Sequence, residues 1–257
     1  LGTFFLKFKD YIILIPSRLG STRLKNKPLI KINGEPLIVH VFKSVQKSKI
    51  KIPILVATDS KLIVDLIKKE GGNAVLTNKK HESGSDRIFE ALNTFDPEKK
   101  YNKVIHLQGD LPNVSNSLII DLANLIFNKK CIGTPVVEAS PDELEDPNVV
   151  KCAVSFGKES PCPGDIGRAI YFSRSKIPWG NQLIWHHLGL YAWDREVLEK
   201  FVSLKPSPLE KSEKLEQLRA IESDIEIKIL VTNEKPIGID TKEDLKKFQN
   251  WLKLKHN

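Results

Sequence analysis

The feature that most constrains this chain is an alternation running through its first half. The run YIILIPS (11–17) is apolar enough for a strand buried on both faces. Apolar residues then recur at helical spacing in EPLIVHVFKSVQKSK (35–49), behind Pro36, which suits a first helical turn. KIPILVATD (51–59) reads as the second strand. Asp59 and Ser60 stand ready to cap the helix KLIVDLIKKEGG (61–72), which its glycines close. NAVLT (73–77) is a short strand, and SDRIFEALNTF (85–95) is a helix with Ser85 or Asp86 near its cap. KVIHLQGD (103–110) is a strand ending in a polar turn, and NSLIIDLANLIFNKK (116–130) is an amphipathic helix. Strands and helices in this order imply βαβ units, hence an α/β fold with a Rossmann-like, mostly parallel sheet flanked by helices. Such sheets bind ligands outside the carboxyl ends of their strands. The loop after YIILIPS and the turn in HLQGD then face one crevice, provided their strands are neighbours.

From about residue 131 the pattern changes. IGTPVVE, VVKCAVSF, GRAIYFS and HHLGLYAW are short β-like runs separated by the turn-rich ASPDELEDP and GKESPCPGD. They predict a smaller, antiparallel or mixed β-rich subdomain. DREVLEKFVSL and SEKLEQLRAIES read as helices capped by Asp194 and Ser212. IEIKILV and KPIGID follow as strands, and TKEDLKKFQNWLKLK is a terminal helix capped by Asp240 or Thr241.

Charge and cysteine usage narrow the function. The formal net charge of +8 is spread over apparent helix faces and the C-terminal stretch, as on a solvated lysine-rich surface. No zinc-finger spacing and no RNA-binding aromatic pattern accompanies it, so a nucleic-acid partner is not expected. No run is apolar for long enough to span a bilayer, so membrane insertion is not expected. Lys7, Lys9 and Asp10 break the opening stretch, which reads as the approach to a strand and not as a signal peptide. Cys131, Cys152 and Cys162 are odd in number and form no CxxC, which points to a reducing cytoplasm.

The chemistry concentrates in IPSRLGSTRLKNKPL (15–29). Ser17, Gly20, Ser21 and Thr22 offer amides and hydroxyls, and Arg18, Arg23 and Lys27 add positive charge. That composition suits a polyphosphate, although the loop is neither a Walker loop nor GxGxxG. A plain solvated loop has the same composition. Asp110 in HLQGD reads either as a turn aspartate or as a metal ligand, and Asp240 in GID either as a helix cap or as a metal ligand.

The run I-P-S-R-x-G-S-T-R-L-x-x-K-P-L resembles the opening signature of the cytidylyltransferases that activate acidic sugars, the 3-deoxy-manno-octulosonate (Kdo) cytidylyltransferases among them. HESGSDRI (81–88), HLQGDLPNV (106–114), AIYFSRSKIPW (169–179), HHLGLYAW (186–193), PSPLEKSEKLEQLR (206–219) and IGIDTKEDL (237–245) are similar to further segments of that family, in order, over residues 10 to 248. Three positions depart: Glu82 stands for a usual Gln, Leu111 for Glu, and Lys242 for Pro.

The resemblance implies a GT-A-like nucleotidyltransferase domain over residues 1–257, with a sugar-binding and dimerisation subdomain at 131–220. It implies CTP and Kdo as substrates, Mg²⁺ on Asp110 and Asp240, and a homodimer. Arg18, Arg23 and Lys27 would act on the phosphates, with Gly20 and Ser21 beside them. Ser83 and Gln108 would contact the nucleoside. Arg87, Arg174, His187, Tyr191, Glu216 and Gln217 would bind the sugar acid. His186 and His187 are neighbours on a strand, so only one can face the site, and the family pattern selects His187. Lys25 matches no motif position and is expected to face solvent. His40 is expected to be structural, and His81 to lie near the nucleotide.

Overall fold

The structure, a computed structural model, describes residues 8–20, 24–47, 51–180 and 183–255. They form two compact units: Leu1–Tyr101, His106–Ser117 and Pro236–Asn257 in the first, and Asn102–Ile105 with Leu118–Lys235 in the second.

The first unit carries the predicted alternation. Strand β1 (Tyr11–Ser17) is parallel to β4 (Ile54–Thr58), which is parallel to β5 (Asn73–Leu76). A small hairpin, β2 (Lys31–Ile32) with β3 (Glu35–Pro36), leads into helix α1 (Leu37–Gln46). Helices α2 (Lys61–Lys69) and α3 (Gly84–Phe95) return the chain between the strands. Ile12, Ile13, Leu14 and Ile15 of β1 are fully buried, as are Leu55 and Val56 of β4, Ile63 and Ile67 of α2, and Ile88 and Leu92 of α3. Each such side chain contributes roughly 1.5–3 kcal/mol of hydrophobic stabilisation, which is why continuous apolar runs become central strands here. His40 Nε2–H donates to Ile32 O at 2.7 Å, a structural contact as expected.

Two cap expectations need correction. Helix α3 is capped by Ser83, whose Oγ accepts from the Asp86 amide, and not by Ser85 or Asp86. Asp59 does not cap α2, because its carboxylate accepts from Leu19 N–H instead. The terminal helix α8 (Lys242–Lys255) closes the unit, and Thr241 caps it by accepting from the Asp244 amide at 3.1 Å. KPIGID is an extended segment without strand pairing, correcting the predicted strand. Its amides go to the turn around Asp110, so it has no ladder to join.

The second unit is β-rich and mixed, as predicted. It contains β6 (Lys103–His106), whose last residue belongs to the first unit, and helix α4 (Asn116–Leu125), whose first residues do too. Then follow β7 (Ile132–Glu138), β8 (Lys151–Ser155), β9 (Ile166–Ser173), β10 (Trp185–His187), β11 (Tyr191–Asp194) and β12 (Ile227–Val231). HHLGLYAW breaks at Gly189, whose φ of 69° favours glycine. Its two halves, β10 and β11, pair antiparallel with opposite ends of β7. On its other side β10 pairs with β8, then β8 with β9, β9 with β12, and β12 with β7, so five strands form a ring.

Helix α5 (Arg195–Ser203) is capped by Asp194 as predicted, with its carboxylate accepting from the Glu196 and Val197 amides. SEKLEQLRAIES is not one helix. It divides into the end of α6 (Pro208–Glu213) and α7 (Leu218–Glu222), separated by Lys214 in the left-handed region. Ser207 and Glu210 make a capping box with Pro208 in the first turn, so the cap lies five residues before the predicted one at Ser212. Arg219 of α7 then forks onto Glu210 of α6 at 2.6 and 2.8 Å.

Candidate active site

The site of the first unit is a cavity of about 320 Å³, within the range of small-ligand pockets. It opens where β1 ends. Ser17 is the last residue of β1, and Arg18 follows it onto the cavity wall. Ser17 Oγ is buried, lines the cavity and has no hydrogen-bond partner among the described residues. Gly20 is exposed and is not among the described residues lining the cavity. Ser21 and Arg23 lie outside the described residues. Lys25 is exposed, as expected, while Lys27 turns inward from a single 3₁₀ turn that starts behind Asn26.

The strand end and the HLQGD turn are neighbours, as the crevice required. Leu107 N–H donates to Leu14 O at 3.0 Å. A Cβ on Gly109 would stand 2.4 Å from Pro16 O, so only glycine lets these two backbones meet. The 237–240 segment docks on the same turn. Ile239 N–H donates to Asp110 O at 3.0 Å, Ile237 N–H donates to Asn113 Oδ1 at 2.8 Å, and Gly238 faces Leu111. Leu111 is buried there, against Gly238.

This joint brings three charges together. Lys27 Nζ donates to Asp110 Oδ2 at 2.6 Å and to Asp240 Oδ1 at 2.8 Å. Burial alone would lower the Lys27 pKa, but the charges and hydrogen bonds of Asp110 and Asp240 outweigh it and leave it raised above 10.5. The ammonium therefore stands where a cation is held between two carboxylates. That donor set fits Mg²⁺, which takes one or two carboxylates and completes its shell with water and substrate phosphates. No cluster of three or more His, Cys, Asp or Glu side chains suited to a metal occurs among the described residues, so phosphate oxygens would have to complete the shell.

Arg87 of α3 is also buried and lines the cavity. Its Nη1 donates to Thr77 Oγ1 at 2.6 Å, and its Nη2 lies 3.6 Å from Asp59 Oδ2. Burial lowers the Arg87 pKa, with Asp59 opposing that shift and the neighbouring Arg18 charge adding to it. Ser83 and Gln108 also line the cavity. Ser83 Oγ donates to Asp86 Oδ2 at 2.8 Å and thus already serves the helix cap. His81 lines the cavity too, with its Nε2 on Glu90. Asp59 and Thr77 escape sequence reasoning, since each merely ends a strand.

The remaining predicted residues lie in the second unit. His187 is buried, with Nε2 2.9 Å from Thr134 Oγ1 and its ring between Phe172 and Tyr191, at centroid distances of 4.9 and 5.4 Å. Burial drives its pKa down to about 3, so it is neutral. Tyr191 is pushed well above its ordinary value, first by burial and then by the charge of Glu216. Gln217 is buried beside Glu216 in sequence. Arg174 donates from Nε to Glu213 O and from Nη1 to Pro147 O, both at 2.9 Å, and from Nη2 to Lys214 O at 3.3 Å. Its guanidinium thus holds the turn between α6 and α7. His186, the other member of the pair, faces Glu143 at 3.1 Å.

Known proteins resemble this chain along most of its length. A sequence profile of the family described as Cytidylyltransferase matches residues 12–229. The 3-deoxy-manno-octulosonate cytidylyltransferase of Bartonella henselae is 43% identical over 245 residues, covering 94% of this chain and 98% of the relative. That of Methylobacterium radiotolerans is 42% identical over 247 residues, covering 95% and 97%. The structure of CMP:2-keto-3-deoxy-manno-octonic acid synthetase complexed with CTP superposes with a TM-score of 0.84 at 30% identity, covering 95% of this chain and 99% of that one. A 4-diphosphocytidyl-2C-methyl-D-erythritol synthase from Anaerococcus prevotii shares the fold at a TM-score of 0.61 and 17% identity, covering 94% and 98%. The chain belongs to the cytidylyltransferase family, among the 3-deoxy-manno-octulosonate cytidylyltransferases.

Proposed function

We propose that the chain transfers CMP from CTP to Kdo, releasing pyrophosphate. The observation that carries this is the meeting of Lys27, Asp110 and Asp240 in one cavity with Arg18 and Arg87. The sugar's anomeric hydroxyl attacks the α-phosphorus in line, so no covalent enzyme intermediate is needed and catalysis comes from positioning and charge. Arg18 and Lys27 hold phosphate oxygens and offset the charge that develops on the departing pyrophosphate. Arg23 and Ser21, which lie outside the described residues, are further candidates for the phosphates. Ser17, Ser83 and Gln108 meet the nucleoside or phosphates as hydroxyl and amide groups. Asp110 and Asp240 would hold Mg²⁺, which when bound polarises the α-phosphate and lowers the pKa of the attacking hydroxyl.

Within the second unit, His187, Tyr191, Glu216 and Gln217 offer neutral and acidic partners for sugar hydroxyls. Arg174 is the cation of this unit suited to the sugar carboxylate, while Arg87, which lines the first unit's cavity with Arg18, is assigned to the triphosphate. The homodimer reading is supported by apolar surface on this unit, where Trp179 is 97% exposed and Ile170 and Leu183 lie at a cavity near it. Cytoplasmic placement, ahead of lipopolysaccharide assembly, accords with free Cys131 and Cys152 in the core. No helix among the described residues is long and apolar enough to cross a membrane.

The test is pyrophosphate release from CTP and Mg²⁺ with Kdo, its 8-amino analogue and sialic acid in parallel. Turnover with Kdo well above the others is expected. Turnover with the 8-amino analogue or sialic acid alone would move the substrate. No turnover with any of them would sink the enzyme reading.

A further inference from the structure

Asp59 stands at the carboxyl end of β4, one strand over from the phosphate loop. An aspartate just before a helix is expected to cap it, but this one turns away. One carboxylate oxygen accepts from Leu19 N–H at 3.3 Å, between Arg18 and Gly20. The other lies 3.6 Å from Arg87 Nη2, and Arg87 is buried and lines the same cavity as Arg18. The Arg87 guanidinium has a second tether, Thr77 Oγ1 at 2.6 Å, at the end of the next strand. Arg18 and Arg87 are like charges close enough to disfavour each other. Asp59 is the carboxylate that touches both the loop carrying the first and the guanidinium of the second.

We propose that Asp59 is a positioning residue, holding the Arg18 loop and the Arg87 guanidinium together as one anion-binding wall for the triphosphate of CTP. This rests on the reading of the cavity as the CTP site. Asp59 touches no reacting atom and acts through Leu19 and Arg87. Its carboxylate offsets the repulsion that would otherwise splay the two arginines, and it fixes both before the nucleotide arrives. Thr77 supports the same guanidinium from the other side without adding charge.

The test reads CTP binding by titration calorimetry, without sugar, together with separate KM values for CTP and Kdo. Asp59→Asn keeps an acceptor for the Leu19 amide and removes the charge, so CTP binding should weaken on the order of tenfold while the KM for Kdo stays within about twofold. Asp59→Glu keeps the charge and should recover CTP binding to within about threefold of wild type. Thr77→Val leaves the loop and the carboxylate untouched, and should weaken CTP about threefold by loosening Arg87 alone. It serves as the deciding variant should Asp59→Asn fail to fold. Unchanged CTP binding in Asp59→Asn or in Thr77→Val would overturn the proposal. So would a rise in both KM values that merely tracks a fall in melting temperature. Wild-type protein that binds no CTP would remove the functional reading itself, whereas wild type that binds CTP beside an equally tight Asp59→Asn removes this proposal alone.

Discussion

Lys27 Nζ lies 2.6 Å from Asp110 Oδ2, across 83 residues of sequence, and the same ammonium reaches Asp240. One lysine thus serves two carboxylates, and the local charge sums to one negative. That excess suits the entry of a divalent cation accompanied by a polyanionic nucleotide.

Replacing this lysine should separate catalysis from folding. Lys27→Met removes one electrostatic donor, so kcat/KM should fall by roughly 10²–10³. Because the Lys27 pKa is raised in the folded state, its contribution to stability is complete below pH 10.5 and fades as pH rises through the folded value. Urea unfolding between pH 9.5 and 11.5 should show a loss of wild-type stability that Lys27→Met lacks in part, on the order of one titrating group. Identical slopes in the two proteins would refute the pairing.

Asp110→Asn tests the metal reading. The substitution leaves Lys27 with Asp240 as its partner, so the fold should persist with a melting temperature within about 3 °C of wild type. Turnover should fall below roughly one thousandth. Mn²⁺ binding followed by electron paramagnetic resonance should weaken as well. Full activity in this variant would end the assignment of Asp110.

Gly109→Ala should act through the backbone. Its Cβ would fall 2.4 Å from Pro16 O, a contact that neither backbone can relieve without moving. A cost of about 1–3 kcal/mol is expected, the range for overpacking a tight site. The loss of activity should exceed the loss of stability, because the shift carries Asp110 with it. Chemical denaturation and steady-state kinetics on one preparation check both. A variant with wild-type kinetics would show that the close approach is not needed.

Acid should destabilise the protein through two buried histidines. Burial lowers the pKa values of His106 and His187 from 6.5 to about 3. Unfolding lets each take up a proton below pH 6.5, so stability is complete above that value and is lost as pH falls toward 3. Each histidine contributes a slope of up to about 1.4 kcal/mol per pH unit. Denaturation at pH 6.5, 5.5 and 4.5 should therefore give a shallower decline for His106→Leu. An unaltered slope would place His106 in a solvated environment.

Local chemistry was legible wherever it depends on near neighbours in sequence. The β1 run, the βαβ spacing, the Asp194 cap and the β-rich change after residue 131 all appear in the fold, because apolar periodicity and capping act over a few residues. Asp110 and Lys27 could be picked out by motif. The reading failed where the partner of a group lies far along the chain. Asp59 was expected to cap α2, and only the packing of β1 beside β4 hands its carboxylate to Leu19 and Arg87. SEKLEQLRAIES read as one helix, because the capping box that starts α6 lies upstream and the break at Lys214 is held by Arg174, 40 residues earlier and just past β9.

By itself, then, the sequence determined the elements, their order and the charged loop at the end of the first strand. Periodicity and turn chemistry are short-range and need no fold to act. Tertiary structure alone decided that Lys27 joins Asp110 to Asp240, that Gly109 must have no side chain, and that Asp59 faces Arg87. Those relationships exist only once parallel strands bring their carboxyl ends together, a condition set by the burial of whole strands and not by any residue at the site.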